Sequence, residues 1–223
     1  MLTSYGTSNI IVMAMIAVIL LTVGIKFINV KPLGIPLIIL SVLLFFFTYW
    51  FFRDPDRTVP QEAKQDSSII IAPADGLITE IVEEFEPHYL NSNSKRITIF
   101  LSPLDVHVNR LPASGVVEFY HYNKGKFGIA SRPKASELNE QSRIGLKTEH
   151  GNILFKQIVG AVARRLVCEL KIGDTVAVGD RFGMMKFGSR MDIALPMDAE
   201  VLVRIGDRVV AAETVIARLN KEQ

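Results

Sequence analysis

Residues 68–82 read Ser-Ile-Ile-Ile-Ala-Pro-Ala-Asp-Gly-Leu-Ile-Thr-Glu-Ile-Val, two short β-branched stretches parted by Pro73-Ala74-Asp75-Gly76. Short runs rich in Val and Ile, bounded by Gly, Pro and Asp, predict strands joined by tight turns. The stretches Ser68–Ala72 and Leu77–Val82 are followed by Arg96–Leu101, Gly115–His121, Ile153–Val162 and Leu166–Leu170, with turn residues at Ser114-Gly115 and His150-Gly151-Asn152. Beyond Pro60 no segment keeps a 3.6-residue apolar period. The expectation is a mainly β fold, a sandwich- or barrel-like set of hairpins. One echo stands out: Ile172-Gly173-Asp174-Thr175-Val176 returns as Ile205-Gly206-Asp207-Arg208-Val209. It reads either as two related hairpins closing one sandwich or as two ordinary Gly-Asp turns.

The first 52 residues differ in kind. They contain no Asp or Glu and only Lys26 and Lys31 as cations. Ile10–Ile25 is an apolar run of 16 residues, and Leu33–Phe52 runs for 20 without a charge. A spanning helix needs about 20 apolar residues, so the second run suffices and the first is marginal. A membrane-anchoring helical hairpin over 1–52, spanning or lying flat, is expected ahead of a domain at 53–223. A cleaved signal peptide fits poorly, because the start lacks a basic region and no small-residue cleavage site follows. Tyr49 and Trp50 suit an interfacial belt, and Arg53, Arg57 and Lys64 lean that end toward the cytoplasm.

Composition narrows the chemistry. Lys and Arg number 25 against 23 acidic residues, a net charge of +2, too little basicity for a nucleic-acid partner. A lone cysteine, Cys168, excludes a disulfide framework and a cysteine-built metal centre. No His/Asp/Glu set shows metal-ligand spacing.

Within Arg181–Pro196 (RFGMMKFGSRMDIALP) lies Gly188-Ser189. It lacks the second glycine of a G-x-S-x-G nucleophile elbow, which disfavours a serine hydrolase. Such a bond can instead rearrange. The Ser hydroxyl adds to the preceding carbonyl, the C–N bond breaks and an ester forms. Elimination then leaves a carboxylate on Gly188 and dehydroalanine at 189, and water converts the latter to a pyruvoyl group and ammonia.

Five segments together resemble the phosphatidylserine decarboxylase family, in its short bacterial and archaeal membrane-anchored form. They are Phe51–Arg57 (FFRDPDR), Ala72–Gly76 (APADG), Phe100–Arg110 (FLSPLDVHVNR), Gly160–Arg165 (GAVARR) and Arg181–Pro196. The resemblance implies self-cleavage between Gly188 and Ser189 into a β chain, 1–188, and an α chain, 189–223, paired as a heterodimer whose further assembly is open. It implies a covalent pyruvate cofactor made from Ser189, and phosphatidylserine in the bilayer as substrate. The ketone forms a Schiff base with the substrate amine and takes up the electrons left at Cα as CO₂ departs, giving phosphatidylethanolamine.

His107 and Asp75 fall where the family has a catalytic histidine and a relay aspartate. Longer members carry a second histidine where this chain has Arg110, so His107 serves both steps or another group activates Ser189. His88 reads as a solvent-facing loop residue, His150 as part of a turn, and His121 is undecided. The pair Arg164-Arg165 suits a phosphate or a structural ion pair equally. A different class also fits part of the pattern. The Gly-Asp turns and Met185-Lys186-Phe187 are similar to biotinyl and lipoyl carriers, but Lys186 lies seven residues after Gly179 where those carriers have about ten.

Overall fold

The apolar N-terminal runs form helices because neither contains a charge that needs water before its last turn. The computed structural model describes residues 1–125, 139–160, 166–186 and 189–220, in two units, Met1–Asp56 and Arg57–Gln223. In the first, α1 (Thr7–Lys26) and α2 (Lys31–Phe51) are 20 and 21 residues long. At about 1.5 Å per residue each reaches the thickness of a bilayer core. The sequence undercounts α1 because the helix starts on Thr7, Ser8 and Asn9, polar residues outside the apolar run, and closes on Lys26, a cation favourable at a helix C-terminus. The helices pack through small residues. Ser41 Oγ donates to Ala17 O at 2.7 Å, and a Cβ on Gly34 would lie 2.4 Å from Phe27 O. Their outer faces leave Ile11, Val18, Leu43, Phe45 and Phe46 exposed. Arg53 stacks its guanidinium 4.2 Å from the Trp50 ring.

The second unit is built of strands, as the sequence predicts, apart from one turn of helix, α3 (Gln61–Gln65), that the sequence reading missed. The strands are β1 (Ile69–Ile71), β2 (Gly76–Glu86), β3 (Ser92–Leu101), β4 (Val108–Arg110), β5 (Gly115–Asn123), β6 (Gln141–Thr148) and β7 (Gly151–Val159). They continue as β8 (Leu166–Cys168), β9 (Thr175–Val176), β10 (Arg181–Met185), β11 (Ser189–Pro196), β12 (Glu200–Val201), β13 (Arg208–Val209) and β14 (Val215–Arg218). One antiparallel sheet has the order β13-β2-β3-β11-β7-β6-β5-β9, and two three-stranded sheets have the orders β1-β14-β12 and β4-β10-β8. Alternate residues Ile97, Ile99, Met191, Ile193, Ile144 and Phe155 face a common core, where Phe155 and Phe182 meet edge to face at 5.3 Å. Strand ends differ from expectation by one to four residues, most at β2 and β3, because the charged and polar ends of that hairpin are held by cross-strand pairing rather than by apolar content.

The strands repeat. β4 to β10 form one module, and β1 to β3 with β11 to β14 form a second that is interrupted by the first. Each three-stranded sheet has the same bulge, between Ile70 and Ile71 in one and between Arg181 and Gly183 in the other. Ala72-Pro73-Ala74-Asp75-Gly76 matches Leu111-Pro112-Ala113-Ser114-Gly115, and the two exchange bonds: Ile71 N to Pro112 O and Arg110 N to Pro73 O, both 2.9 Å. The sequence echo belongs to this repeat. Gly173 N donates to Val117 O and Gly206 N to Ile78 O, each at 2.8 Å, with φ of +95° and +97° at the glycines. The two turns do not form hairpins with each other. They deliver β9 and β13, which finish opposite edges of the large sheet.

Candidate active site

Ser189 heads β11, the strand between β3 and β7. Its Cα partners are Leu101 on one side and Val159 on the other. Gly188 and Phe187 lie outside the described residues, as do Arg164 and Arg165. Leu77 pairs with Phe100, so one residue further toward the sheet end Gly76 comes beside Leu101. Asp75, directly before Gly76, therefore enters the sheet at the same end as Ser189, Gly76 lying two strand spacings, about 10 Å, across the sheet from it.

The turn carrying Asp75 is tightly determined. Ala211 N donates to its Oδ1 at 2.8 Å, and Arg57 Nη2 donates to Oδ2 at 2.7 Å. Burial pushes its carboxyl above the ordinary value of 3.8, against the lowering influence of the Ala211 N–H and the Arg57 guanidinium; the nearby Asp105 charge adds to the rise. In the other module Ser114 occupies the same place, and its Oγ accepts from Val178 N at 2.9 Å. A hydroxyl thus suffices for the turn. The second carboxylate oxygen is what Asp75 adds.

His107 follows the turn Ser102–Asp105, which Asp105 closes by accepting Ser102 N at 2.8 Å. The ring is fully buried, and Nδ1 is 2.9 Å from Asp105 O. A carbonyl only accepts, so Nδ1 carries the proton and Nε2 the lone pair. His107 O accepts from Met185 N at 3.1 Å. The chain from Met185 to Ser189 therefore begins at His107 and ends beside Leu101. Arg208, reaching from β13, pairs with Asp105 at 3.2 Å.

Of the residues read from sequence, Asp75, His107 and the backbone of Ser189 share this end of the sheet. Arg110 is buried and donates to Gly179 O at 3.2 Å; a guanidinium has no lone pair with which to act as a base. His121 is exposed on β5, and His88 lies 3.4 Å from Arg143. His150 turns the β6–β7 hairpin with Nε2 3.0 Å from Ser67 Oγ. Cys168 is half-buried, and burial raises its thiol. The sequence alone assigns Arg57 and Asp105 no role in the site, although both lie inside the quoted segments 51–57 and 100–110.

A half-buried carboxylate, a buried imidazole and a strand headed by serine at one sheet end are the makings of an enzyme's active site. The family model described as phosphatidylserine decarboxylase matches residues 44–217. Similar proteins named phosphatidylserine decarboxylase proenzyme occur in Salinibacter ruber, at 51% identity over 82% of this chain and 81% of that one, and in Chlorobium luteolum, at 42% over 98% and 100%. Another from Carboxydothermus hydrogenoformans is 46% identical over 81% of this chain and 84% of its own. The chain belongs to the phosphatidylserine decarboxylase family.

Proposed function

We propose that the chain is a proenzyme that cuts itself between Gly188 and Ser189 and then decarboxylates phosphatidylserine to phosphatidylethanolamine. The products of the cut are a β chain, 1–188, and an α chain, 189–223, which remain together as a heterodimer. The observation that carries this reading is the register that brings Ser189, at the head of a central strand, to the sheet end holding Asp75 and His107.

These residues suit a pyruvoyl group formed from Ser189. That group would supply an electron sink for the pair left on the substrate Cα as CO₂ departs. The protein's own part is proton transfer and exclusion of water. His107, fixed in one tautomer by Asp105 O, takes the Ser189 hydroxyl proton at Nε2 and serves the later proton transfer as well. Asp75, ionised against Arg57, supports the positive charge that His107 gains. Helices α1 and α2 keep the enzyme at the bilayer, where a diacyl substrate stays, and Arg53 and Lys64 favour the cytoplasmic face for the catalytic unit.

Intact mass is the test. Wild type should yield a 35-residue fragment of about 3.9 kDa, the corresponding share of 24.8 kDa, with a blocked N-terminus. Ser189→Ala should stay full length and inactive, and borohydride should abolish wild-type activity by reducing the ketone. A full-length wild type with full decarboxylase activity would overturn the proposal.

A further inference from the structure

The two modules can be overlaid residue for residue, and one departure between them lies beside the proposed site. Val116 pairs with Lys147 as Leu77 pairs with Phe100, and Lys147 pairs with Asn152 as Phe100 pairs with Arg190. Along β7 and β11 this makes Gly151 the counterpart of Ser189 and Gln157 the counterpart of Leu195. Asn109 pairs with Gly183 as Ile70 pairs with Ala217. Where one module buries Ile70 and Leu195 in the apolar core, the other buries Asn109 and Gln157, all four fully inaccessible.

The amides are held in one orientation. Val167 O can only accept, so Gln157 presents its Nε2 there, at 3.2 Å, and the same nitrogen donates to Asn109 Oδ1 at 2.9 Å. Ser142 Oγ donates to Gln157 Oε1 at 2.6 Å. The chain of donors runs from Ser142 through Gln157 and ends on Asn109 Nδ2, which has no acceptor among the described residues. A buried donor left this way costs on the order of 1–3 kcal/mol, and the other module shows that the fold does not require it.

Its location gives the reason. Asn109 is two residues along the chain from His107. Gln157 stands two residues, about 7 Å, along β7 from Val159, the partner of Ser189. We propose that Asn109 Nδ2 is a hydrogen-bond donor of the active site, kept for an oxygen that carries negative charge during reaction. That oxygen belongs either to the scissile carbonyl in self-cleavage or to a carboxylate or phosphate of the substrate. The inference rests on the placement of the reaction at Ser189.

Asn109→Leu tests it, because the side chain keeps its shape while Gln157 keeps Ser142 and Val167. A second variant, Asn109→Ile with Gln157→Leu, copies the other module. Thermal unfolding is read in a Ser189→Ala background, self-cleavage by intact mass over time, and turnover of the cut fraction as kcat and KM separately. Unchanged or raised stability is expected, with a loss of about a hundredfold in one rate, the usual effect of removing an oxyanion donor. Slow cleavage with normal turnover assigns the scissile carbonyl; normal cleavage with altered kcat or KM assigns the substrate. Both rates within twofold of wild type, or losses that only follow a fall in stability, overturn the proposal. A wild type found uncut but active would instead refute the self-cleavage reading, and the effect on turnover would still report on Asn109.

Discussion

Because the fold contains its own duplicate, the importance of where Asp75 sits can be tested with an internal control. Gly76 begins β2 so close to β3 that a Cβ there would lie 2.4 Å from Phe100 O and 2.8 Å from Ile99 Cγ2. Gly115 begins β5 in the same way, with its Cβ 2.2 Å from Lys147 O. In each case the obstacle is a backbone carbonyl, which cannot rotate away, so alanine must separate the strands by roughly 1 Å to regain an ordinary contact. Overpacking of this kind costs about 1–3 kcal/mol, or a fall of roughly 3–10 °C in a unit of this size. Gly76→Ala and Gly115→Ala should therefore be similarly destabilised in a Ser189→Ala background. Their chemistry should differ. Gly76→Ala moves Asp75 and the Phe100–Leu101 segment that pairs with Ser189, and a displacement of about 1 Å in a reacting array can cost about a hundredfold. Gly115→Ala moves Ser114, at the opposite end of the sheet. Self-cleavage is followed by intact mass after expression at a temperature where both variants are folded. If Gly115→Ala slows cleavage as much as Gly76→Ala, or Gly76→Ala cleaves at the wild-type rate, the placement of the reaction beside Asp75 is wrong.

Two further expectations concern the ionisable groups. The proposal requires Asp75 as the carboxylate, and burial raises its pKa, so cleavage should fall on the acid side at a pH above 3.8. Arg57→Leu removes a lowering influence, so the acid limb should move to higher pH; a limb that stays in place would detach Arg57 from the site. The stability contribution of Asp75 has the matching sign, present below 3.8 and fading as pH rises through the raised folded value. His107→Ala should fail in cleavage and, in any cut fraction, in turnover; normal processing with normal kcat would remove His107 from both steps.

Local features were legible in the sequence and long-range ones were not. Two apolar runs, the β-branched stretches and the Gly-Asp turns mark elements whose stability comes from their own residues, and the structure contains each of them. Asp75 is singled out by the resemblance of Ala72–Gly76 to the family, since Ala-Asp-Gly by itself reads as an ordinary turn. By contrast, β3 and β11 pair over a separation of 88 residues, from Leu101 to Ser189. Register between such strands is set by the partner face, not by a periodicity within either one. From sequence the module repeat was caught only through the echo at 172 and 205; Pro-Ala-x-Gly at 73–76 and 112–115 is a second trace, while Ile70 against Asn109 and Leu195 against Gln157 differ in polarity. Arg57 could not be assigned to Asp75 for a related reason: an ion pair leaves no mark on spacing.

The interrupted module also bears on whether the proposed cut at 188/189 would leave the fold intact. In the uninterrupted copy, β6 returns into β7 through a tight hairpin at Thr148–Gly151. In the interrupted copy the equivalent return, from Leu101 to Ser189, is where the whole β4–β10 module has been inserted. Ser189 occupies the place of Gly151 at the head of its strand. Downstream, β11 is paired along Ser189–Pro196 with β3 and along Ser189–Ala194 with β7, while β14 is held by β1. Cutting before Ser189 would leave these ladders and the apolar core intact. Conversely, a return closed by an inserted domain cannot relax as a two-residue hairpin can. The flanking residues are anchored, Met185 by its bond to His107 and Ser189 by pairing with Leu101 and Val159. The insertion therefore anchors the residues on both sides of the proposed cleavage point and leaves strands that would remain paired if the chain were cut there.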